Sequence, residues 1–262
     1  MGAQTRESLA TVTDRATKAT GVTQDAVTGL FQAGRAIAAY PSLLAALADS
    51  GHTAAERSAL VDGALSALTP AGRALLEHVL ELSWSAPADL LAGIEQLGVR
   101  VSAGLSAPDT LASELLQAGR IIRGDAELQL ALSDKRASVE SKVSIVEAIF
   151  GGKVDPASLA VIAHVVAQPR GRRASDALED AAELVLDHDG RGLAEVQVAQ
   201  SLSAAQHTTI KNMLEKRFGR DHYLDVVTVP DVIGGARIRV GDLVMDGSVH
   251  KQLTDMRLQL AG

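Results

Sequence analysis

Apolar residues recur every three or four positions along most of the first 189 residues, and every second position in short runs after that. The first period predicts amphipathic helices and the second half-buried strands. Residues 1–20 predict a polar helix with small apolar positions at Leu9, Val12, Ala16 and Ala19. Val27, Leu30, Phe31 and Ala38, followed by Leu43, Leu44 and Leu47, predict one long helix or two short ones, with Pro41 placed to kink or break it. A short helix is expected over Ala54–Leu65. Thr69-Pro70 then gives a start signal, a capping hydroxyl followed by a proline that suits the first helical position. The helix it opens carries Leu75, Leu76, Val79, Leu80 and Leu82. A break at Ser83–Pro87 leads to another through Leu90, Leu91, Ile94 and Leu97.

The helical pattern then repeats. LFQAGRAI (Leu30–Ile37) recurs as LLQAGRII (Leu115–Ile122), with six of eight positions identical. Leu47-Ala48-Asp49 recurs as Leu132-Ser133-Asp134, and Thr69-Pro70-Ala71 as Asp155-Pro156-Ala157. The run through His78-Val79 recurs through His164-Val165. These matches indicate a tandem duplication of a helical unit of about 85 residues, an architecture that lengthens a buried core without new chemistry.

Asp187-His188-Asp189-Gly190-Arg191-Gly192 reads as a polar joint, and beyond it the period changes. Val196 and Val198 alternate with Glu195 and Gln197 as in a strand. Ser203-x-x-Gln206 has the form of a capping box before a helix with Ile210, Met213, Leu214 and Phe218 on one face. Tyr223–Val229 is a second strand. In PDVIGGARIRVGDLVMDGSVHKQL, Ala236, Ile238 and Val240 alternate with Arg237 and Arg239, and Leu243-Val244-Met245 can return after Gly241-Asp242. Gly234-Gly235 marks a bulged or flexible entry, and Asp246-Gly247 a second turn. Ser248 is placed to cap a closing helix with Val249, Leu253, Met256 and Leu260 on one side. The fold class expected is α+β, mostly α: a tandem-duplicated helical bundle over residues 1–104 and 105–189, then a small α+β module over 190–262.

The string GGARIRVGDLVMDGSVHKQL resembles the C-terminal signature of the delta subunit of F-type ATP synthases, the family of the mitochondrial oligomycin-sensitivity-conferring protein. Gly234, Gly235, Gly241, Asp242, Asp246, Gly247 and Ser248 carry that resemblance. The second helical copy, with ALSDKRASVESKVSIVEAIFGGKVDPASL, is more similar to the helical domain of that family than the first. The likeness covers roughly Thr110–Leu260, and the extra N-terminal copy departs from the usual single domain. The resemblance implies a stator subunit of the peripheral stalk with no catalytic or metal-binding residues and no cofactor. It implies that the helical part binds N-terminal helices of the alpha subunits of the catalytic head, and that the C-terminal module binds the C-terminal end of the b subunit. It also implies a peripheral place on the cytoplasmic face of a bacterial cell membrane, as part of the complex.

Composition narrows the other classes. Of 262 residues, 47% are hydrophobic but only 2% aromatic, which favours closely packed Ala/Leu/Val helices and leaves few rings to stack on bases. A formal charge of −7 gives no electrostatic footprint for nucleic acid. No apolar run approaches the roughly 20 residues of a membrane helix, so direct membrane insertion is not expected. Glu7, Asp14 and the lack of an apolar h-region argue against a secretory signal or transit peptide. The absence of cysteine removes disulfides and thiolate metal sites.

The seven histidines show no dense ligand spacing, and His78 and His164 read as packing residues with one hydrogen-bonded nitrogen. Asp187-His188-Asp189 reads as linker ahead of a cation site. Pro169–Arg173, PRGRR, reads as either a dock for an acidic partner or a solvated helix entry. Arg35 and Arg120, equivalent in the repeat, read as members of internal ion pairs. No nucleophile elbow or phosphate loop is present. Two other readings remain at this point: a helical-repeat adaptor unrelated to energy conversion, and a small-ligand enzyme or sensor built on the α+β module.

Overall fold

A computed structural model describes residues 2–65, 68–229 and 235–246. It divides into two compact units, residues 1–188 and 189–262. Among the described residues the first unit is built from α1 (Ala3–Lys18), α2 (Gln24–Ala39), α3 (Pro41–Ala48), α4 (Ala54–Ala64), α5 (Pro70–Leu80), α6 (Pro87–Ser102), α7 (Pro108–Gly124), α8 (Ala126–Ser133), α9 (Val139–Phe150), α10 (Pro156–Ala167) and α11 (Ala174–His188). Proline sets several of these boundaries. Pro41, Pro70, Pro87, Pro108 and Pro156 each stand at the start of a helix, where the missing N–H would have had no intrahelical partner. Pro41 therefore breaks the stretch into α2 and α3, with Tyr40 serving as the end of one and the cap of the other.

The centre of this unit is α6. It buries eleven of its sixteen residues and packs against α1, α2, α3, α5, α10 and α11. Two of the few aromatic rings seat on its glycines. A Cβ at Gly93 would lie 2.2 Å from the Trp84 ring, and one at Gly98 2.2 Å from Phe31. The repeat also becomes intelligible as packing. Gly34 and Gly119, equivalent in the two QAGR segments, occupy equivalent crossings, α2 on α6 and α7 on α11. A Cβ would come within 2.9 Å of Ile94 at the first and 3.2 Å of the Ser175 carbonyl at the second. The copies diverge elsewhere. Gly29 and Gly72 let α2 and α5 touch backbone to backbone, with a Cβ at Gly72 only 2.8 Å from Gly29. Their counterparts are Glu114, which accepts from the Asp155 N–H at 3.0 Å, and the buried Ser158.

The polar helix α1 differs from expectation in its inner face. It buries Thr5, Ser8, Val12 and Ala16, while Leu9 and Ala19 are only half-buried. The face turns toward hydroxyls because the neighbouring loop offers them partners. Thr5 donates to Asp89 at 2.7 Å and accepts from the Ser85 N–H at 3.0 Å, and Ser8 donates to the Ser83 carbonyl at 2.6 Å. Each buried hydroxyl is thus satisfied, without which its burial would be costly.

The second unit contains β1 (Gly192–Val198), α12 (Ala204–Phe218), β2 (His222–Thr228), β3 (Ala236–Val240) and β4 (Leu243–Asp246). Its sheet runs β2-β1-β3-β4. β1 and β2 are parallel, joined through α12, and the other two pairings are antiparallel. The capping box forms as expected: the Ser203 hydroxyl accepts from the Gln206 N–H at 3.3 Å and the Gln206 side chain accepts from the Ser203 N–H at 2.9 Å. Ala194, Val196, Val198, Leu214, Leu224 and Ile238 form the core, with Ile210 and Phe218 packed against it. Met213 instead is 42% exposed. Ile210, Leu214 and Phe218 stand four residues apart and make the buried stripe, and Met213 falls about 100° round the helix from Leu214.

Candidate functional site

The signature hairpin lies at one side of this sheet. Arg237 stands opposite Gln197 of β1 and Asp246 of β4, and Arg239 opposite Glu195 and Val244. Arg239 donates to Glu195 at 2.6 Å and Arg237 to Asp246 at 3.0 Å. The charged side of β3 is therefore laced to both neighbouring strands, while Ile238 on the other side is 6% exposed and enters the core. Val240 pairs with Leu243, so Gly241-Asp242 is a two-residue loop. Gly241 has φ +55° and Gly235, at the entry to β3, φ +77°, a backbone region that glycine reaches without a Cβ clash. Gly235, Gly241, Asp242 and Asp246 thus lie along one hairpin. Gly234, Gly247 and Ser248, and the expected closing helix with Val249, Leu253, Met256 and Leu260, lie outside the described residues. Leu243 and Val244, 41% and 53% exposed, stand on the outermost described strand.

Charges in the helical unit are arranged in a way the sequence did not disclose. Glu95 on α6 is 2% exposed and receives two of the three arginines of the PRGRR segment, Arg170 and Arg172. Arg170 donates to it at 2.7 and 3.1 Å and Arg172 at 2.8 and 2.9 Å. Arg172 also meets Asp180 at 2.8 Å. Arg170 and Arg172 thus form a latch from the second sequence copy onto the first, while Gly171 and Arg173 stay exposed at the entry to α11. Arg170 adopts φ +52°, a strained conformation of roughly 1–2 kcal/mol for a side-chain-bearing residue, held by the two bonds it makes to Glu95. Arg100, also on α6 and 5% exposed, meets Asp187 of α11 at 2.9 Å. Asp187 is thereby engaged within the helical unit, and Asp189 pairs with Arg191 at 2.7 Å. Charges separated this far in sequence carry no periodic signal, which is why sequence reasoning missed both links.

The equivalent histidines part company. His164 is buried and stacks on Phe31, ring centroids 4.2 Å apart and planes 14° from parallel. Burial holds its pKa well below the usual histidine value, and Arg35, Arg170 and Arg172 push it the same way. The Phe31 backbone acts in the opposite sense, and Nδ1 of His164 has no partner among the described residues. His78 is exposed, on the side of α5 away from the buried Leu75, Leu76, Val79 and Leu80. Arg35 also departs from expectation. It lies half-buried on α2, and among the described residues it makes no ion pair; burial lowers its pKa and Glu140 acts on it only at longer range.

Among the described residues no three His, Cys, Asp or Glu side chains are grouped to hold a metal ion. None of the described helices is long and apolar enough to cross a membrane. What the surfaces offer is apolar contact: Leu130 is 72% exposed, and Tyr40 and Ile121 also stand free of the core.

A family model described as ATP synthase delta (OSCP) subunit matches residues 101–260, that is, the second helical copy and the α+β module. Over 266 residues and the full length of both chains, the protein is 38% identical to ATP synthase subunit delta of Leifsonia xyli subsp. xyli. It is 34% identical to the subunit delta of Thermobifida fusca over 82% of each chain. Against the subunit delta of a Nocardioides species it is 32% identical over 89% of this chain and 86% of the relative. The family match over residues 101–260 and sequence agreement along the whole length point the same way: the chain belongs to the ATP synthase delta (OSCP) subunit family.

Proposed function

We propose that the chain is the delta subunit of an F-type ATP synthase, a non-catalytic stator part that links the catalytic head to the peripheral stalk. In this role it opposes rotation of the head, so that rotor torque deforms the catalytic sites and does not spin the assembly. The observation that carries the reading is family membership over the full length of the chain. Membership also weighs against a free helical adaptor or a small-ligand enzyme.

The helical part is the proposed seat for N-terminal helices of the alpha subunits, with residues 105–189 as the copy corresponding to the family's helical domain and 1–104 as its paralogue. The α+β module is the proposed seat for the C-terminal end of the b subunit. The exposed Leu243 and Val244 support that assignment, since apolar side chains on an outer strand can be covered by an incoming segment. The protein would work at the cytoplasmic face of the membrane, held there by other chains. Engagement at both units would gain from effective concentration.

A chain truncated after Asp189 should retain the head and lose b in pull-down experiments. Recovery of b with that truncated chain would contradict the assignment.

A further inference from the structure

The half-buried Arg35 stands in a groove that exists only because the helical unit is duplicated. One wall is a stripe of α2 from the first copy, Gln32, Arg35, Ala36, Ala39 and Tyr40. The other is the first turns of α9 from the second copy, Val139, Glu140, Val143 and Ser144. The space between them is about 520 Å³. The α2 positions follow the i, i+3, i+4, i+7, i+8 spacing of a helix interface, yet Ala39 is exposed and Tyr40 is 61% exposed. The stripe spans about 12 Å, two turns of helix.

Arg35 is the feature that selects an occupant. Arg73, Arg170 and Arg172 are also partly buried in this unit, and each meets a carboxylate within 3 Å. Arg120, the counterpart of Arg35 in the repeat, is engaged as well. Arg35 alone of these carries a partly dehydrated guanidinium with no hydrogen bond or ion pair among the described residues. An arginine in that state is relieved by a carboxylate, which its planar fork grips with two parallel bonds. The small side chains of Ala36 and Ala39 leave room for a helix backbone to come close, and Tyr40 offers an apolar body with a polar tip at the rim.

We infer that the α2/α9 groove is a docking site for an amphipathic helix of another subunit of the complex, one that sets a carboxylate against Arg35 and small apolar residues against Ala36, Ala39, Val139 and Val143. The inference rests on the stator reading. It adds a contact that uses both copies at once and so gives the duplication a task. Glu140, on the opposite wall, would repel the incoming carboxylate and set its position along the groove.

The absence of cysteine makes the test clean. Ala39→Cys, labelled with a photoreactive benzophenone maleimide, is incorporated into the complete ATP synthase and irradiated. The expected result is one adduct to another subunit, mapped to a helix-forming segment with an Asp or Glu. Arg35→Gln should reduce that adduct about tenfold and Arg35→Lys less, while Glu140→Gln preserves or increases it. Intrinsic Trp84 fluorescence should show the same unfolding midpoint for the Arg35 variants as for the parent. No adduct in an assembled complex, an adduct confined to this chain, or one indifferent to Arg35→Gln overturns the groove proposal and leaves the stator reading standing. Failure of the chain to join the complex overturns both.

Discussion

Replacing Glu95 with Gln tests whether the two sequence copies are held together electrostatically. The carboxylate is 3% exposed at its side chain, whereas Arg170 and Arg172 retain 23% and 25%. Removing one member of a fully buried ion pair costs about 3–5 kcal/mol. Here water reaches both arginines, Arg172 keeps Asp180, and the glutamine oxygen can still accept one bond, so about 2–3 kcal/mol is expected. For a unit of this size that lowers the melting midpoint by roughly 5–10 °C. The assay is intrinsic fluorescence. Trp84 is the single tryptophan, 2% exposed, and its ring N–H donates to the Val79 carbonyl at 3.1 Å, so its signal follows the helical unit alone. Asp14→Asn is the control. It breaks an i,i+4 pair with Lys18 that is more than half exposed on both sides, and such pairs contribute about 0.5 kcal/mol or less. A double-mutant cycle between Glu95→Gln and Arg170→Gln should give a coupling above about 1 kcal/mol. If Glu95→Gln melts with Asp14→Asn, the latch contributes nothing and the reasoning fails.

Three further outcomes follow from the same geometry. His164 is neutral in the fold because burial and then the three arginines depress its pKa, whereas the unfolded chain takes up a proton below about pH 6.5. Its contribution is therefore complete above pH 6.5 and is lost as pH falls, at up to about 1.4 kcal/mol per unit. His164→Phe should flatten the pH 6.5–5.0 dependence of the Trp84 midpoint, and equal slopes in the two proteins would refute the assignment. Gly72→Ala places a methyl 2.8 Å from the Gly29 backbone and should cost about 1–3 kcal/mol by overpacking. Gly63→Ala meets open space and should stabilise α4 by about 0.5–1 kcal/mol, and urea midpoints that move alike would discredit the contact analysis. Gly241→Val forces a β-branched residue to φ +55°, with a strain of about 1–3 kcal/mol. Hydrogen exchange of the β3 and β4 amides should accelerate, and unchanged protection would count against the turn.

What the sequence disclosed was local. Thr69-Pro70, Pro41 and Ser203-x-x-Gln206 state their own boundaries, because caps and prolines act on the backbone beside them. The alternation of Ala236, Ile238 and Val240 with two arginines likewise reports a strand with one wet side. The repeat showed through because Gly34 and Gly119 both serve close helix crossings. What stayed hidden depends on residues far apart in the chain. Nothing near Glu95 signals Arg170, seventy-five positions on, and equivalent sequence positions misled where the surroundings differ, as His78 and His164 do. The inner face of α1 was misjudged because Thr5 and Ser8 score as polar, although the loop at Ser83–Ser85 satisfies their hydroxyls. The α2/α9 groove was invisible for a simpler reason: it has one wall in each copy.

The latch on α6 also sets an order in time. Chains emerge from the ribosome at about 5–20 residues per second, so Glu95 waits roughly 4–15 s before the arginines that answer it are made. During that interval a nascent first half carries an unanswered carboxylate, with Phe31 uncovered on the side that His164 will stack against. Completion of the bundle is therefore deferred until α10 and the segment after it have been translated, and a ribosome stalled between residues 105 and 165 should hold a client for chaperones.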